Sequence, residues 1–283
     1  MAEVRAGRLS CLSKTGFHEL AYRESGPGHP VPVVCLHGLG RNARDFDNLA
    51  AALAAAGRRV VCLDVVGRGD SAWLRDPMDY SYPQYLADTA ALIARLDCAR
   101  VDIVGTSMGG LIGMMLAAQP GNPIRRLVIN DVGPFIPKAA LERILDYFGR
   151  DPRFPDLEAA EAYHRATYRG FGDLSDAQWR HLTETSLRPD GAGWRLHYDP
   201  RIAEPLRAAE LCDVDLWPLW DAITCPVLAL RGAESDLLLA ETAAEMGARG
   251  PRAEVVVVPG CGHAPALLEA GQIDPLRHWL SAG

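Results

Sequence analysis

Short apolar runs recur along the chain, separated by longer segments of helical period. The runs are VPVVCLH (31–37), RRVVCLD (58–64), RVDIVG (100–105), RRLVIND (125–131), CPVLALRG (225–232) and AEVVVVPG (253–260). Their apolar positions are continuous rather than alternating, the pattern of strands buried on both faces. Between them lie Ala/Leu-rich segments with helical spacing at 43–56, 82–97, 107–119, 237–248 and 264–281. Strand and helix taking turns in this way predict a mostly parallel sheet with helices on both faces. Ahead of them, residues 8–24 alternate about KTG and predict an antiparallel hairpin, which brings the expected sheet to eight strands.

The alternation stops between 133 and 215. That stretch carries LERILDYFGR and AEAYHRATYRGF, helical in period and rich in aromatics, and no β-type run. It predicts a helical cap at 133–215, inserted after strand 6 into a core made of 1–132 and 216–283. Such an insertion would lie over the carboxyl edge of the sheet, where open α/β sheets place their ligands.

Composition narrows the function classes. The chain has 283 residues, 48% hydrophobic and 23% charged, enough for one large buried core. The net charge is −7 and no Lys/Arg block occurs, so neither nucleic acid nor an anionic membrane is an expected partner. A small molecule is. The amino-terminal residues lack the apolar centre of a signal peptide, and no apolar run is long enough to span a bilayer. The seven cysteines include no CxxC pair and read as free thiols, as expected in a reducing cytoplasm.

The joint at 102–118, DIVGTSMGGLIGMMLAA, places Ser107 between Gly105 and Gly109, where a strand passes into a helix. Glycines there permit a very tight turn that lifts the hydroxyl above the sheet at a helix N-terminus. A serine hydroxyl needs a base. Of the eight histidines, His263 in VVVVPGCGHAP stands just past the last strand, at the same edge of the sheet. The base needs an acid to hold its tautomer. Asp236 in RGAESDLL follows a strand at that edge and is the leading candidate, with Glu234 and Asp131 as competitors. Asp236 could instead cap a helix. An oxyanion needs two donors. The backbone N–H groups of Leu39, in HGLG, and Met108, just after the serine, are placed for this.

With these residues in place, the chain resembles the α/β-hydrolase fold family over nearly its whole length. The likeness rests on HGLG (37–40), DVVGRGDS (64–71), GTSMGG (105–110), RGAESD (231–236) and GCGH (260–263), in that order. GTSMGG is similar to the elbows of esterases and of carbon–carbon bond hydrolases. Dehalogenases and epoxide hydrolases of the fold carry Asp where this chain has Ser107, which argues against both. The resemblance implies no metal and no organic cofactor. It implies a carboxylesterase-like serine hydrolase of small to medium esters or thioesters, working through an acyl-enzyme on Ser107. Phe135, Ile136, Leu145, Phe148 and Trp194 are candidate pocket residues. A carbon–carbon bond hydrolase would use the same residues, with Arg41, Arg188 or Arg195 holding a dienoate acid. Peracid formation, or a receptor or scaffold without turnover, are further alternatives.

Overall fold

The computed structural model describes residues 3–282; positions 1, 2 and 283, the ends of the expected core, lie outside the described residues. The hairpin about KTG is present as β1 (Val4–Ser13) and β2 (Gly16–Ser25). Strands β3 (Val33–Leu36), β4 (Val60–Leu63), β5 (Val101–Thr106) and β6 (Ile124–Asn130) then alternate with helices α1 (Asp47–Ala55), α2 (Tyr82–Arg95) and α3 (Met108–Ala117). The chain next makes an excursion from the sheet. It comprises β7 (Phe135–Ile136), α4 (Lys138–Tyr147), β8 (Arg153–Phe154), α5 (Leu157–Thr167), α6 (Asp176–Thr185), β9 (Leu187–Asp190), β10 (Gly193–Leu196), α7 (Ala203–Ala208), β11 (Val214–Asp215) and α8 (Trp217–Asp221). The sheet resumes with β12 (Val227–Gly232), α9 (Ala240–Ala248), β13 (Glu254–Val258) and α10 (Ala270–Ser281).

Among the described residues eight strands form the main sheet, in the order β1-β2-β4-β3-β5-β6-β12-β13. The pairs β1/β2 and β2/β4 are antiparallel, and the rest are parallel. Alternate residues of one strand point to opposite faces, which sorts the core into two layers. Val34, Leu36, Leu63, Ile103 and Ile129 pack with α2 and α3 on one face. Val33, Cys35, Val60, Val104 and Leu230 pack with α1 and α10 on the other. All four residues of β3 are fully buried, which is why its sequence shows no polar alternation.

The excursion differs from the expected all-helical segment. Strands β8, β10 and β9 form a three-stranded antiparallel sheet, and β7 pairs with β11. These strands are two to four residues long and carry Arg, Pro, Gly and Asp on partly exposed backbone. Too short and too polar to show a period of two, they leave no pattern in the sequence. No helix among the described residues is long and apolar enough to cross a membrane. The seven cysteines are free thiols.

One buried ionic group ties the far edge of the sheet together. The Asp102 carboxylate is fully buried and accepts from Arg58 at 2.6 Å and from Arg125 at 2.7 Å. Arg58 also donates to the Leu280 carbonyl at 2.5 Å, joining the end of α10 to the start of β5. Removing one partner of a buried ionic group strands the other charge, at a cost of about 3–5 kcal/mol. Asp102→Ala is therefore expected to lower stability by that amount in urea unfolding. A loss under about 1 kcal/mol, the value of an exposed pair, would contradict this role for Asp102.

Candidate active site

Strand β5 ends at Thr106 and α3 begins at Met108, so Ser107 alone makes the turn. Its backbone sits at φ 53° and ψ −117°, a region that non-glycine residues rarely adopt. The glycines around it are required by space. A Cβ on Gly105 would lie 2.2 Å from the Gly109 carbonyl oxygen, and one on Gly109 would lie 1.9 Å from the Leu36 carbonyl oxygen. The turn is pinned by two backbone bonds. Ser107 N–H donates to the Asn130 carbonyl at 2.9 Å, and Leu111 N–H donates to the Ser107 carbonyl at 3.0 Å.

His263 stands in the loop after β13, its Nε2 2.9 Å from Ser107 Oγ. Its Nδ1 is 2.9 Å from Oδ2 of Asp131, the residue that follows β6. The leading sequence candidate for that acid, Asp236, is elsewhere. Its carboxylate is half-exposed and holds the Arg143 guanidinium of α4, with Nη2 at 2.9 Å. The physical reason lies one residue earlier. The end of β12 and the loop after it turn so that Gly232 N–H and the Ser235 hydroxyl donate to Asp131, at 2.7 and 2.6 Å. Ser235 Oγ in turn accepts from the N–H groups of Leu237 and Leu238. With Ser235 turned inward, Asp236 and Glu234 face out. The Asp131 side chain is fully buried and its negative charge is met by three donors.

The HGLG loop approaches Ser107 from β3. A Cβ on Gly38 would come within 3.8 Å of Ser107 Cβ. His37 braces this loop: its Nδ1 contacts the Gly38 carbonyl at 2.8 Å, and its Nε2 accepts from Val65 N–H at 3.0 Å. Burial pushes His37 down to about 4, so the ring is neutral near pH 7. Arg68, fully buried, donates from Nε to the Leu39 carbonyl at 3.0 Å, a bracing residue that sequence reasoning passed over. Met108 is the first residue of α3, so its N–H has no acceptor within the helix. Leu39 and Met108 both line a cavity that touches Ser107.

Two cavities meet at Ser107. One, of about 60 Å³, is lined by His263, Arg41, Tyr147, Phe148, Tyr168 and Phe171 among others. The second, of about 160 Å³, is apolar, with Met108, Leu111, Val132, Ile136, Leu145 and Leu237 in its wall. Of the expected pocket residues, Ile136 and Leu145 line the second cavity and Phe148 the first. Phe135 and Trp194 line neither. Phe135 lies opposite Asp215 in the β7–β11 pair, and Trp194 opposite Phe154 and Pro189 in the small sheet. Arg188 and Arg195 lie over the Trp73 ring, and only Arg41 of the three arginines lines a cavity at Ser107. Tyr147, Tyr168 and Phe171 were visible in sequence only as aromatics of a helical segment. Burial and the nearby Arg41 charge push His164 of α5 down to about 3, a neutral ring stacked on Tyr168.

Among the described residues one group has the makings of a metal site: Cys11, His18 and Asp88, with ligand atoms within 4.8 Å of one another. His18 Nε2 lies 3.0 Å from each Asp88 oxygen, a buried pair that ties the hairpin to α2. None of the three lines either cavity at Ser107.

Known proteins resemble the chain in sequence and in fold. The family described as "Alpha/beta hydrolase family" matches residues 33–272. A 3-hydroxybutyrate-oligomer hydrolase from Cupriavidus necator is 48% identical over 282 residues, covering 96% of each chain. An alpha/beta hydrolase from Novosphingobium aromaticivorans superposes with a TM-score of 0.89 at 39% identity over 99% of both chains. A solved structure from Rickettsia typhi superposes with a TM-score of 0.91 at 31% identity over 98% of both chains. The Gly-flanked serine, the parallel sheet that carries it and these likenesses agree: the chain belongs to the alpha/beta hydrolase family.

Proposed function

We propose that the protein is a serine esterase of short hydroxyalkanoate oligomers, acting through an acyl-enzyme on Ser107. The observation that carries this reading is the unbroken line of hydrogen bonds from Ser107 through His263 to buried Asp131. In the first half-reaction His263 takes the Ser107 proton as the oxygen attacks the ester carbonyl. Asp131 holds the His263 tautomer and stabilises the imidazolium. The Leu39 and Met108 N–H groups receive the oxyanion. His263 then protonates the departing alcohol, which leaves Ser107 acylated. In the second half, His263 takes a proton from water, the resulting hydroxide attacks the acyl carbonyl, and Ser107 recovers its proton as the acid departs.

The cavities suggest which half of the ester goes where. The alcohol must leave within reach of His263, which lines the smaller cavity and is absent from the apolar one. The acyl group therefore takes the apolar cavity. Residues 133–215 act as a cap in this reading, since Ile136, Leu145 and Phe148 come from that segment. The substrate class is taken from the 48%-identical relative, a 3-hydroxybutyrate-oligomer hydrolase. A cytoplasmic location is in keeping with seven free thiols.

Linear 3-hydroxybutyrate dimers and trimers should be cleaved to monomer by the purified protein, and chromatography of the products checks this. Failure to cleave them while simple butyrate esters are turned over would keep the esterase and discard the substrate. In a p-nitrophenyl ester series, C4 to C6 acyl chains should outrun C12, because the shorter chains bury their whole length in the apolar cavity of about 160 Å³ beside Ser107. A C12 optimum would reject this assignment of the acyl site.

The two aspartates separate cleanly by kinetics. Asp131→Asn should lower kcat by about 10⁴-fold with the fold retained. Asp236→Asn removes an exposed ion pair with Arg143 and should leave kcat near that of the wild type. The reverse pattern would refute both roles.

A further inference from the structure

We infer that Arg41 recognises a free carboxylate on the leaving alcohol, so that esters of hydroxy acids are preferred over esters of neutral alcohols. This rests on the hydrolase reading and deepens it. Arg41 is 5% exposed. Its Nε and Nη2 donate to the two oxygens of Asp45, at 2.9 and 2.6 Å. Asp45, with the Tyr168 hydroxyl near by, keeps the buried guanidinium charged. Its Nη1 is buried and, apart from the Tyr168 hydroxyl near the guanidinium, has no acceptor among the described residues. Buried donors are nearly always paired, and a charged donor without an acceptor carries a larger penalty than a neutral one. Both Asp45 oxygens are engaged by Arg41, so its charge is matched and the open valence of the pair is a cationic N–H group. That is the chemistry that recognises a carboxylate.

The location assigns the carboxylate to one half of the substrate. A Cβ on Gly38 would sit 3.6 Å from Arg41 Cγ and 3.8 Å from Ser107 Cβ, so the two side chains start on either side of one small residue. Arg41 shares its cavity with His263 and is absent from the apolar one. His263 delivers its proton to the leaving oxygen, so the group beside Arg41 is the departing alcohol. In an oligomer of 3-hydroxybutyrate the terminal departing alcohol carries a free carboxylate. The Tyr168 and Phe171 rings lie 4.9 and 5.8 Å from Arg41 Cζ and exclude water from the guanidinium face. Poor solvation strengthens an ionic hydrogen bond made there.

The test compares two substrates that differ only at the remote carboxyl group, ionised in one and methylated in the other: the 3-hydroxybutyrate dimer as the free acid and as its methyl ester. Cleavage of the central ester is followed in both, with p-nitrophenyl butyrate as a neutral control. Wild-type kcat/KM should favour the free acid by about tenfold or more, the scale of one hydrogen bond to a charged group. The ratio should fall to near one in Arg41→Gln and take an intermediate value in Arg41→Lys. Because these variants also break the Asp45 pair and can unfold, inhibition of the wild type is measured in parallel. The 3-hydroxybutyrate anion should compete at least about tenfold better than its methyl ester. Equal wild-type rates on acid and methyl ester, as a contact with a neutral carbonyl would give, overturn the inference while p-nitrophenyl butyrate turnover keeps the esterase. If none of the three esters is hydrolysed, the hydrolase reading fails and the inference falls with it.

Discussion

Helix α3 lies so close against the sheet that no side chain fits between them at two points. The Gly109 Cα faces the Leu36 carbonyl of β3, and the Gly105 Cα faces the backbone of α3 itself. With strand and helix this near, one residue has to reverse the chain, and Ser107 does so at a positive φ. Such a conformation persists only where its surroundings over-determine it. Here the Asn130 carbonyl and the Leu111 N–H hold it from both sides. The hydroxyl is thereby raised at the carboxyl edge of the sheet, at the N-terminus of α3, where the Met108 N–H is unclaimed by the helix.

The other groups reach that point from successive strand ends. Asp131 follows β6, beside β5 in the sheet, and His263 follows β13 at the far side of β12. The last residue of β12 and the loop after it fill the space between by lending Gly232 N–H and Ser235 Oγ to Asp131. Asp131 is thus held by its neighbours before it holds His263. On the opposite flank His37 and Arg68 brace the HGLG loop through Gly38 and Leu39. Each brace is a buried polar group bonded to backbone, which gives the site its rigidity.

The sheet was legible because its strands are buried on both faces and read as unbroken apolar runs. The elbow was legible because the close approach admits only glycine at fixed offsets from Ser107. The choice of acid was not. Asp131 and Asp236 both follow strands at the same edge, and what separates them is the inward turn of Ser235 and the reach of Arg143 from α4. Neither contact leaves a local pattern. The pocket was half legible for a similar reason. Ile136, Leu145 and Phe148 face the cavities while Phe135 and Trp194 do not, and tertiary packing within the excursion decides which. Its short strands carry Arg, Pro and Gly, which mask them as loop.

The proposed acyl-enzyme on Ser107 can be trapped directly. An alkyl fluorophosphonate mimics the tetrahedral state and reacts with an activated hydroxyl. Intact-mass and peptide mass spectrometry should find one adduct per chain, on Ser107, forming far more slowly in His263→Ala. An adduct on a cysteine such as Cys261, or full turnover in Ser107→Ala, would rule out Ser107 as the nucleophile.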